Sequence, residues 1–458
     1  RSQRDYMEKS ETSSPTVSTE ALILSCMIDA KEDRDVATAD IPGAFLQTEY
    51  NEGDTHVRIE GTMAELLAQV DPKLYRQYII TRPNGKTVLY AETLKAMYGT
   101  LNAALLFWTK LSGTLSDMGF ITNPYDRCCM NMQIDGSQCT ILWHVDDIKV
   151  SHADADVVTK TLVLINEEYG KETPLTVTRG LMHDYLGMTI DYSYQGQVRF
   201  TMFDYIANML DARPDDMKGE SATPAGAHLF QINEDDPTLL DEAEAVMFHH
   251  NTAKLLFLAK RARPDIQLAV AFLCTRVKHP DIDDYKKLGR LMKYLEATIG
   301  LPLVLAMDKT GRIRWYSDAA FAVHNDMKSH TGAVMTMGQG AANSQSSKQK
   351  FNTKSSTESE SVAVDDVISQ VIWTRYFLEA QSEAINDNIV YQDNQSAIKL
   401  EKNGTKSSGK RTRHISIRYF FVTDRISAKE LNVEYCPTLD MLGDYFTKPL
   451  QGSLFRKF

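Results

Sequence analysis

The chain has 458 residues, of which 43% are hydrophobic and 24% charged, a composition typical of a soluble globular protein with two to four domains. No apolar run reaches membrane-spanning length, which argues against a membrane protein. The formal net charge of −11 argues against a protein that holds nucleic acid through its overall charge, because affinity for phosphates comes from Lys and Arg. A local basic groove remains compatible with this charge.

The first half of the chain reads as alternating helices and strands. In chain order the pattern predicts a helix over 20–31, a strand with a sharp turn over 35–47, a strand over 55–60, a hairpin over 78–92 and a helix over 103–118. Strands over 128–134, 140–145 and 148–151, a helix over 154–169 and a strand over 185–192 follow. The dipeptide Asp146-Asp147 lies at the turn between two of these strands.

The second half begins with a stretch rich in Pro, Gly and acids, 214–237, which predicts a linker. Three helices are expected over 243–262, 265–278 and 283–298. A second α/β region then follows, with strands over 312–317, 388–392 and 431–436 and a long helix after Ser356. Thr357 and Glu360 have the spacing of a capping box for that helix. This order predicts a mixed sheet with helices on its faces, and an α/β (α+β) fold class overall.

Two sets of acids stand out as candidate metal ligands. Asp146 and Asp147, flanked by apolar strands, are joined upstream by Asp40 at a strand end. Carboxylates so placed suit the two divalent ions of a nucleotide-joining enzyme. An Asp-Asp pair alone is weak, since the chain has four more, at 215–216, 235–236, 283–284 and 365–366. The alternative is a solvated pair, and only the buried hairpin distinguishes this one.

The second set is spread over the C-terminal region. Four acids lie at strand ends and helix starts, which suits a two-metal hydrolase: Asp318, Glu358, Asp393 and Asp444. Taken singly, each is equally well read as a cap or a surface acid. The most basic stretch, 402–414, could contact phosphates or be a solvated loop, and His414 in it is as readily structural as catalytic.

Several motifs in a fixed order resemble copia-type retrotransposon reverse transcriptases followed by their ribonuclease H domain. On the polymerase side they are 38–47 (TADIPGAFLQ), 97–108 (MYGTLNAALLFW), 141–151 (ILWHVDDIKVS), 185–188 (YLGM) and 263–270 (RPDIQLAV). On the nuclease side they begin at Tyr316 (YSDAAFA), Ser355 (SSTESES), Tyr391 (YQDNQSAI), Arg413 (RHISIRYFF) and Gly443 (GDYFTKPL). The resemblance runs from about Tyr6 to the last residue.

The resemblance implies a right-hand polymerase and an RNA-directed DNA polymerase activity coupled to cleavage of RNA–DNA hybrids. Fingers and palm are expected over 1–215, a helical thumb or connection over 216–305, and a ribonuclease H-like mixed sheet over 306–458. All seven acids are implied as catalytic and metal-binding. Phe45 would exclude ribonucleotides, and the other substrate-binding residues implied are Tyr98, Gly99, His144 and Gly187.

The same resemblance implies two Mg²⁺ or Mn²⁺ ions per active site. The expected partners are an RNA template, a DNA primer, the hybrid, dNTPs, and the integrase and protease of a longer polyprotein, with no membrane. The expected location is cytoplasmic, in a virus-like particle, and later nuclear.

The sequence also departs from the family pattern. His144 stands where Tyr is usual, the segment after Gly99 lacks two basic residues and a proline, and Gly443 replaces the usual Ala. Two alternatives therefore stay open. One is a decayed copy with weak or no polymerase activity, and the other is a non-catalytic nucleic-acid-binding protein.

Overall fold

The structure, a computed structural model, describes residues 12–50, 55–233, 237–404 and 416–458. Within these ranges the chain forms the mixed α/β structure that the order of elements predicts. No helix in the described ranges combines the length and the apolar character needed to cross a membrane.

The elements of the first half follow the predicted order closely. They are α1 (Thr19–Glu32), β1 (Asp35–Asp40), β2 (His56–Glu60), α2 (Thr62–Val70), α3 (Pro72–Tyr75), β3 (Ile79–Thr81), β4 (Thr87–Glu92), α4 (Ala103–Asp117), β5 (Ile121–Asn123), β6 (Asp126–Ile134), β7 (Ser137–His144), β8 (Asp147–His152), α5 (Ala155–Tyr169), β9 (Thr176–Arg179), β10 (Met182–Tyr185), β11 (Met188–Asp191), β12 (Val198–Thr201) and α6 (Phe203–Asp211).

The second half begins with three helices, as predicted, which are α7 (Glu242–Ala259), α8 (Gln267–Cys274) and α9 (Ile282–Ala297). The strands and helices that follow them are β13 (Leu303–Met307), β14 (Arg312–Ala320), β15 (His330–Thr336), β16 (Gly338–Gln339), β17 (Asn343–Lys348), α10 (Ser356–Ala380), β18 (Asp387–Gln392), α11 (Gln395–Asn403), α12 (Ser416–Ser427), β19 (Asn432–Tyr435) and α13 (Gly452–Lys457).

A six-stranded antiparallel sheet organises the first half, in the order β5-β6-β7-β8-β1-β9. Helix α1 starts at Ser18, whose side chain accepts a hydrogen bond from the backbone of Ala21, and it is buried from Ala21 to Ala30. The strand β8 brings Lys149 onto this helix, where its ammonium pairs with the buried carboxylate of Asp29. A buried charge of this kind is tolerated because its partner is buried beside it.

One local prediction for this half was wrong. The strand expected over 185–192 is instead the hairpin β10–β11, with Tyr185 paired to Met188. Its turn residues Leu186 and Gly187 have φ of 51° and 79°, a left-handed conformation that no continuous strand contains. In addition, α2 and α3 occupy a stretch for which the sequence analysis predicted no element.

A five-stranded sheet in the order β17-β15-β14-β18-β19 organises the C-terminal region. Its β14, β18 and β19 are parallel, whereas β15 and β17 pair antiparallel, which confirms a mixed sheet. Helix α10 packs against β14 and β15. The division into three domains remains a prediction, and its second boundary, between 305 and 306, falls inside β13, which pairs with both β12 and β16.

Candidate functional site

The hairpin β7–β8 carries the first pair of acids. His144 pairs with Asp147, which leaves Val145 and Asp146 as a two-residue turn. Val145 has φ of 61°, and such a conformation in a β-branched residue costs about 1–3 kcal/mol. The amide of Ile41 donates a 3.1 Å hydrogen bond to the carbonyl of Asp146 and helps to hold the turn. Asp146 is therefore fixed at the tip of a strained turn.

Asp40 meets this turn from the neighbouring strand. In the antiparallel pairing of β1 with β8 it lies opposite Asp147. Burial, and then the charge of Asp146, raises the pKa of Asp40. Burial, followed by the charges of Asp146 and Asp40, also raises the pKa of Asp147, while His144 opposes the shift. Three carboxylates that repel one another in this way are a fitting site for divalent cations.

Two aromatic residues border these acids. The rings of Phe45 and Tyr98 lie with centroids 4.4 Å apart, and Phe45 is buried. The hydroxyl of Tyr98 donates a 3.2 Å hydrogen bond to Oδ2 of Asp146. Tyr98 is nevertheless 64% exposed, so its outer face is open to a ligand. Tyr98 thus contacts both Phe45 and Asp146.

The two glycines predicted to contact substrate have different surroundings. Gly99 follows Tyr98 with φ of 101°, a backbone conformation that side chains rarely adopt. Gly187 lies in the β10–β11 turn, and a Cβ there would be 3.9 Å from the ring of Phe257. Tyr185, which was not predicted as a site residue, is buried and donates a 3.0 Å hydrogen bond to the carbonyl of Asp147.

The second set of acids gathers at one edge of the C-terminal sheet. Tyr316 on β14 and Tyr391 on β18 are register partners in parallel strands. Asp318 and Asp393 each follow their tyrosine by two residues, so both reach the same edge. Together with Glu360 they offer ligand atoms that all lie within 4.8 Å of one another, the one such group in the described ranges. Asp40, Asp146 and Asp147 are a looser set.

The structure brings Glu360 into this cluster in place of the predicted Glu358. The helix α10 begins at Ser355, whose side chain accepts from the amide of Glu358, so the predicted cap was two residues late. The carboxylate of Glu358 accepts a 2.7 Å hydrogen bond from the amide of Lys354. Two residues on a helix point about 200° apart, so only one of the two glutamates can face the sheet edge.

Asp444 lies beside the cluster, in a short 3₁₀ helix, Leu442–Phe446. The carboxylate of Asp444 lies 2.6 Å from Nζ of Lys448. Thr447, the residue before Lys448, donates a hydrogen bond from its hydroxyl to Oδ2 of Asp318. Burial is the main cause that raises the pKa values of Asp318, Glu360 and Asp444, and Lys448 opposes all three shifts. Sequence reasoning found neither Thr447 nor Lys448.

Gly443 contacts the cluster directly. A Cβ there would lie 2.9 Å from Cβ of Asp318 and 3.0 Å from its amide nitrogen, closer than ordinary contact allows. Gly443, which stands where the resemblance implies Ala, therefore lies against the predicted metal ligand Asp318. Of the basic stretch, residues 405–414, His414 among them, lie outside the described residues.

Comparison with solved structures gives distant likenesses. The protease–reverse transcriptase of prototype foamy virus is 14% identical, covering 96% of this chain and 48% of that one, with a TM-score of 0.23. Ribonuclease H1 of Halobacterium salinarum is 14% identical, covering 30% of this chain and 93% of its own, with a TM-score of 0.21. At these TM-scores neither likeness decides anything about the fold or the activity. No protein-family model matches the chain.

Sequence relatives cover the whole chain. The retrovirus-related Pol polyprotein from transposon RE2 of Arabidopsis thaliana is 26% identical over 100% of this chain, and that from transposon TNT 1-94 of Nicotiana tabacum is 24% identical over 99%. The chain spans only 29% and 32% of these two proteins. The homologues of this chain are therefore Pol polyproteins of copia-type retrotransposons, as its motifs predicted.

Proposed function

We propose that the chain is an RNA-directed DNA polymerase coupled to a ribonuclease that cleaves RNA–DNA hybrids. The observation that carries the proposal is the presence of two separate carboxylate sets, each at a sheet edge. One is Asp40 with the hairpin acids, and the other is centred on Asp318, Glu360 and Asp393. The two sets follow one another along the chain in the same order as the polymerase and nuclease motifs of the sequence.

In this proposal the parts of a right-hand polymerase correspond to elements of the first half. The sheet β2-β4-β3 with α2 and α3 serves as fingers, the six-stranded sheet as palm, and α7 to α9 as thumb. The C-terminal sheet is the ribonuclease H-like domain. RNA template, DNA primer and dNTPs are the substrates, and the remaining segments of a longer Pol polyprotein are the partners.

The donor sets fit Mg²⁺ or Mn²⁺, because they consist of carboxylates whose pKa values are raised in the absence of a cation. When bound, such ions supply positive charge that stabilises the oxygens of a reacting phosphoryl group. For the polymerase acids we propose two ions, as the resemblance implies. The nuclease cluster differs from the polymerase acids, because the ammonium of Lys448 lies beside it.

The chain's own residues then position the substrates. Asp40, Asp146 and Asp147 hold the cations at the primer end, with Asp146 fixed by the strained turn. Phe45 forms the wall that a 2′-hydroxyl would meet, and Tyr98 offers an exposed ring on which a nucleotide can pack. At the second site Asp318, Glu360 and Asp393 hold the cation against the hybrid.

Polymerase activity is tested by extending a DNA primer on an RNA template with dNTPs and either metal. We expect incorporation by the unmodified chain and its loss in Asp146→Asn. Asp215→Asn is a matched control, since it alters an exposed acid in another Asp-Asp pair. If the unmodified chain incorporates nothing with either metal, the polymerase proposal fails and the decayed copy is favoured.

Nuclease activity is tested on a labelled hybrid. Cleavage should vanish in Asp393→Asn, while primer extension persists. Asp387→Asn, at the exposed start of the same strand, should cleave normally. Loss of both activities in Asp393→Asn would argue against two independent sites, and binding of the hybrid without either activity would favour a non-catalytic binding protein.

A further inference from the structure

The four acids of the nuclease region do not share one environment. Asp318, Glu360 and Asp393 approach one another within 4.8 Å, and Asp444 is outside that group. Asp444 has a cationic partner within the chain, because Nζ of Lys448 lies 2.6 Å from its Oδ1. The same ammonium lies 3.8 Å from Oδ2 of Asp318. Lys448 therefore bridges the acid outside the group and an acid within it.

Lys448 is held in this position by its neighbours. Its amide donates a 2.9 Å hydrogen bond to the carbonyl of Asp444. Thr447 before it is fully buried, and its hydroxyl donates to Oδ2 of Asp318. A Cβ on Gly332 of β15 would lie 2.5 Å from Cγ2 of Thr447, so the backbone here is packed closely against the sheet. The backbone that carries Lys448 is thus held against the sheet.

The position of the ammonium bears on how many divalent ions the cluster can take. Lys448 and Thr447 already occupy Oδ2 of Asp318, and Lys448 also occupies Oδ1 of Asp444, so a second ion between the two acids would have to displace these contacts or bind only through the other oxygen of each. Hydrogen bonds from these groups use the lone pairs that a metal ion would need. A divalent ion and an ammonium on the same carboxylates also repel each other. The ion and Lys448 therefore compete for one place.

We propose that Lys448 supplies the second positive charge of the nuclease cluster, so that the cluster binds a single divalent cation at Asp318, Glu360 and Asp393. This inference rests on the proposed nuclease function and narrows it. It assigns Lys448 a charge-compensating, positioning role, in which its ammonium replaces one of the two ions that the resemblance implies. The polymerase acids include no such lysine contact among the described hydrogen bonds and ion pairs, and they would take two ions.

The test counts bound Mn²⁺ by electron paramagnetic resonance in the full chain carrying Asp146→Asn and Asp147→Asn, which removes two polymerase ligands. In this background we expect one Mn²⁺ per chain, lost on adding Asp393→Asn. Adding Lys448→Met should create a place for one more ion, whereas Lys448→Arg should leave the count unchanged. Lys457→Met is the matched control, because Lys457 pairs with the surface acid Asp440.

The background chain alone can decide the inference. Two Mn²⁺ ions that both depend on Asp393 would overturn it, even if Lys448→Met fails to fold. An unchanged count in a folded Lys448→Met chain, checked by its Tm, would also overturn it. Hybrid cleavage by the unmodified chain tests the proposed function separately. Cleavage with two bound ions rejects only the inference, and one ion without cleavage rejects only the function.

Discussion

Glu358 and Glu360 make a matched pair of glutamates for testing which acid serves the proposed nuclease. They lie two residues apart on α10, and both are buried, at 5% exposure. Glu360 faces Asp318 and Asp393, whereas the carboxylate of Glu358 accepts a hydrogen bond from the amide of Lys354. Replacing each by Gln keeps the size of the side chain, removes its charge and exchanges one accepting oxygen for a donating NH2 group.

Glu360→Gln should abolish hybrid cleavage. Losing even an outer partner of a metal ligand typically costs about 10–100-fold, so losing a ligand should cost at least about 100-fold. Primer extension should be unaffected. Burial and the charges of Asp318 and Asp393 raise the pKa of Glu360 well above its usual value. An acid of this kind destabilises the fold as pH rises above its unfolded pKa, so without bound metal Glu360→Gln should raise Tm at pH 7 but not at pH 4.

Glu358→Gln should show the opposite pattern. Cleavage should remain within about twofold of the unmodified chain, because the effect is confined to the helix start. Losing a negative charge in the first turn should cost about 0.3–1 kcal/mol of unfolding free energy. The assays are cleavage of a labelled hybrid and thermal unfolding in chelator. Full cleavage by Glu360→Gln, or its loss in a folded Glu358→Gln chain, would refute the reasoning.

Three further predictions concern other parts of the chain. Tyr98→Phe removes the hydroxyl that donates to Asp146 and competes there with a cation, so half-maximal primer extension should need up to about tenfold less Mg²⁺. An unchanged Mg²⁺ requirement would show that this hydrogen bond does not compete with the cation. His144→Tyr should raise incorporation a few-fold and move the acid limb of its pH profile upward, since His144 lowers the pKa of Asp147; an identical profile would mean that His144 is neutral. Burial raises the pKa of Glu401 to about 8, so Glu401→Gln should gain stability over the parent as pH rises from 5 to 8, by up to about 4 kcal/mol in urea unfolding, whereas exposed Glu220→Gln should not.

Much of the first site could be predicted from the sequence, because its signals are local. Asp146 and Asp147 lie between two apolar strands, and the hairpin that these strands predict is the one observed. Asp40 ends a strand of small buried residues, Asp35–Asp40. The bond from Tyr98 to Asp146 was not predictable in this way, since it joins residues 48 apart through the packing of separate elements.

The second site shows where local patterns mislead. Both Ser355–Glu358 and Thr357–Glu360 have capping-box spacing, and the sequence analysis chose the later one. The spacing of the apolar residues, by contrast, indicates that Glu360 faces the sheet. Glu360 lies four, seven and eleven residues before Val364, Val367 and Val371, which are all buried, so it continues the apolar stripe of α10. Applied consistently, the helical period would have placed Glu360, not Glu358, on the face toward the sheet.

The relation between the two sites depends on contacts that no local pattern contains. Composition placed the domain boundary in the Pro- and Gly-rich stretch 214–237, yet the end of α10 docks directly on the six-stranded sheet. Trp373 donates a 3.0 Å hydrogen bond to the carbonyl of Tyr125, and Gln138 donates a 3.2 Å one to the carbonyl of Gln381. Trp373 and Gln381 lie 13 and 21 residues after Glu360, so the proposed nuclease acid is about 20 to 30 Å along α10 from these contacts with the sheet that carries Asp146. The helix α10 therefore joins the two sheets directly, and β13, which pairs with both β12 and β16, joins the two halves of the chain.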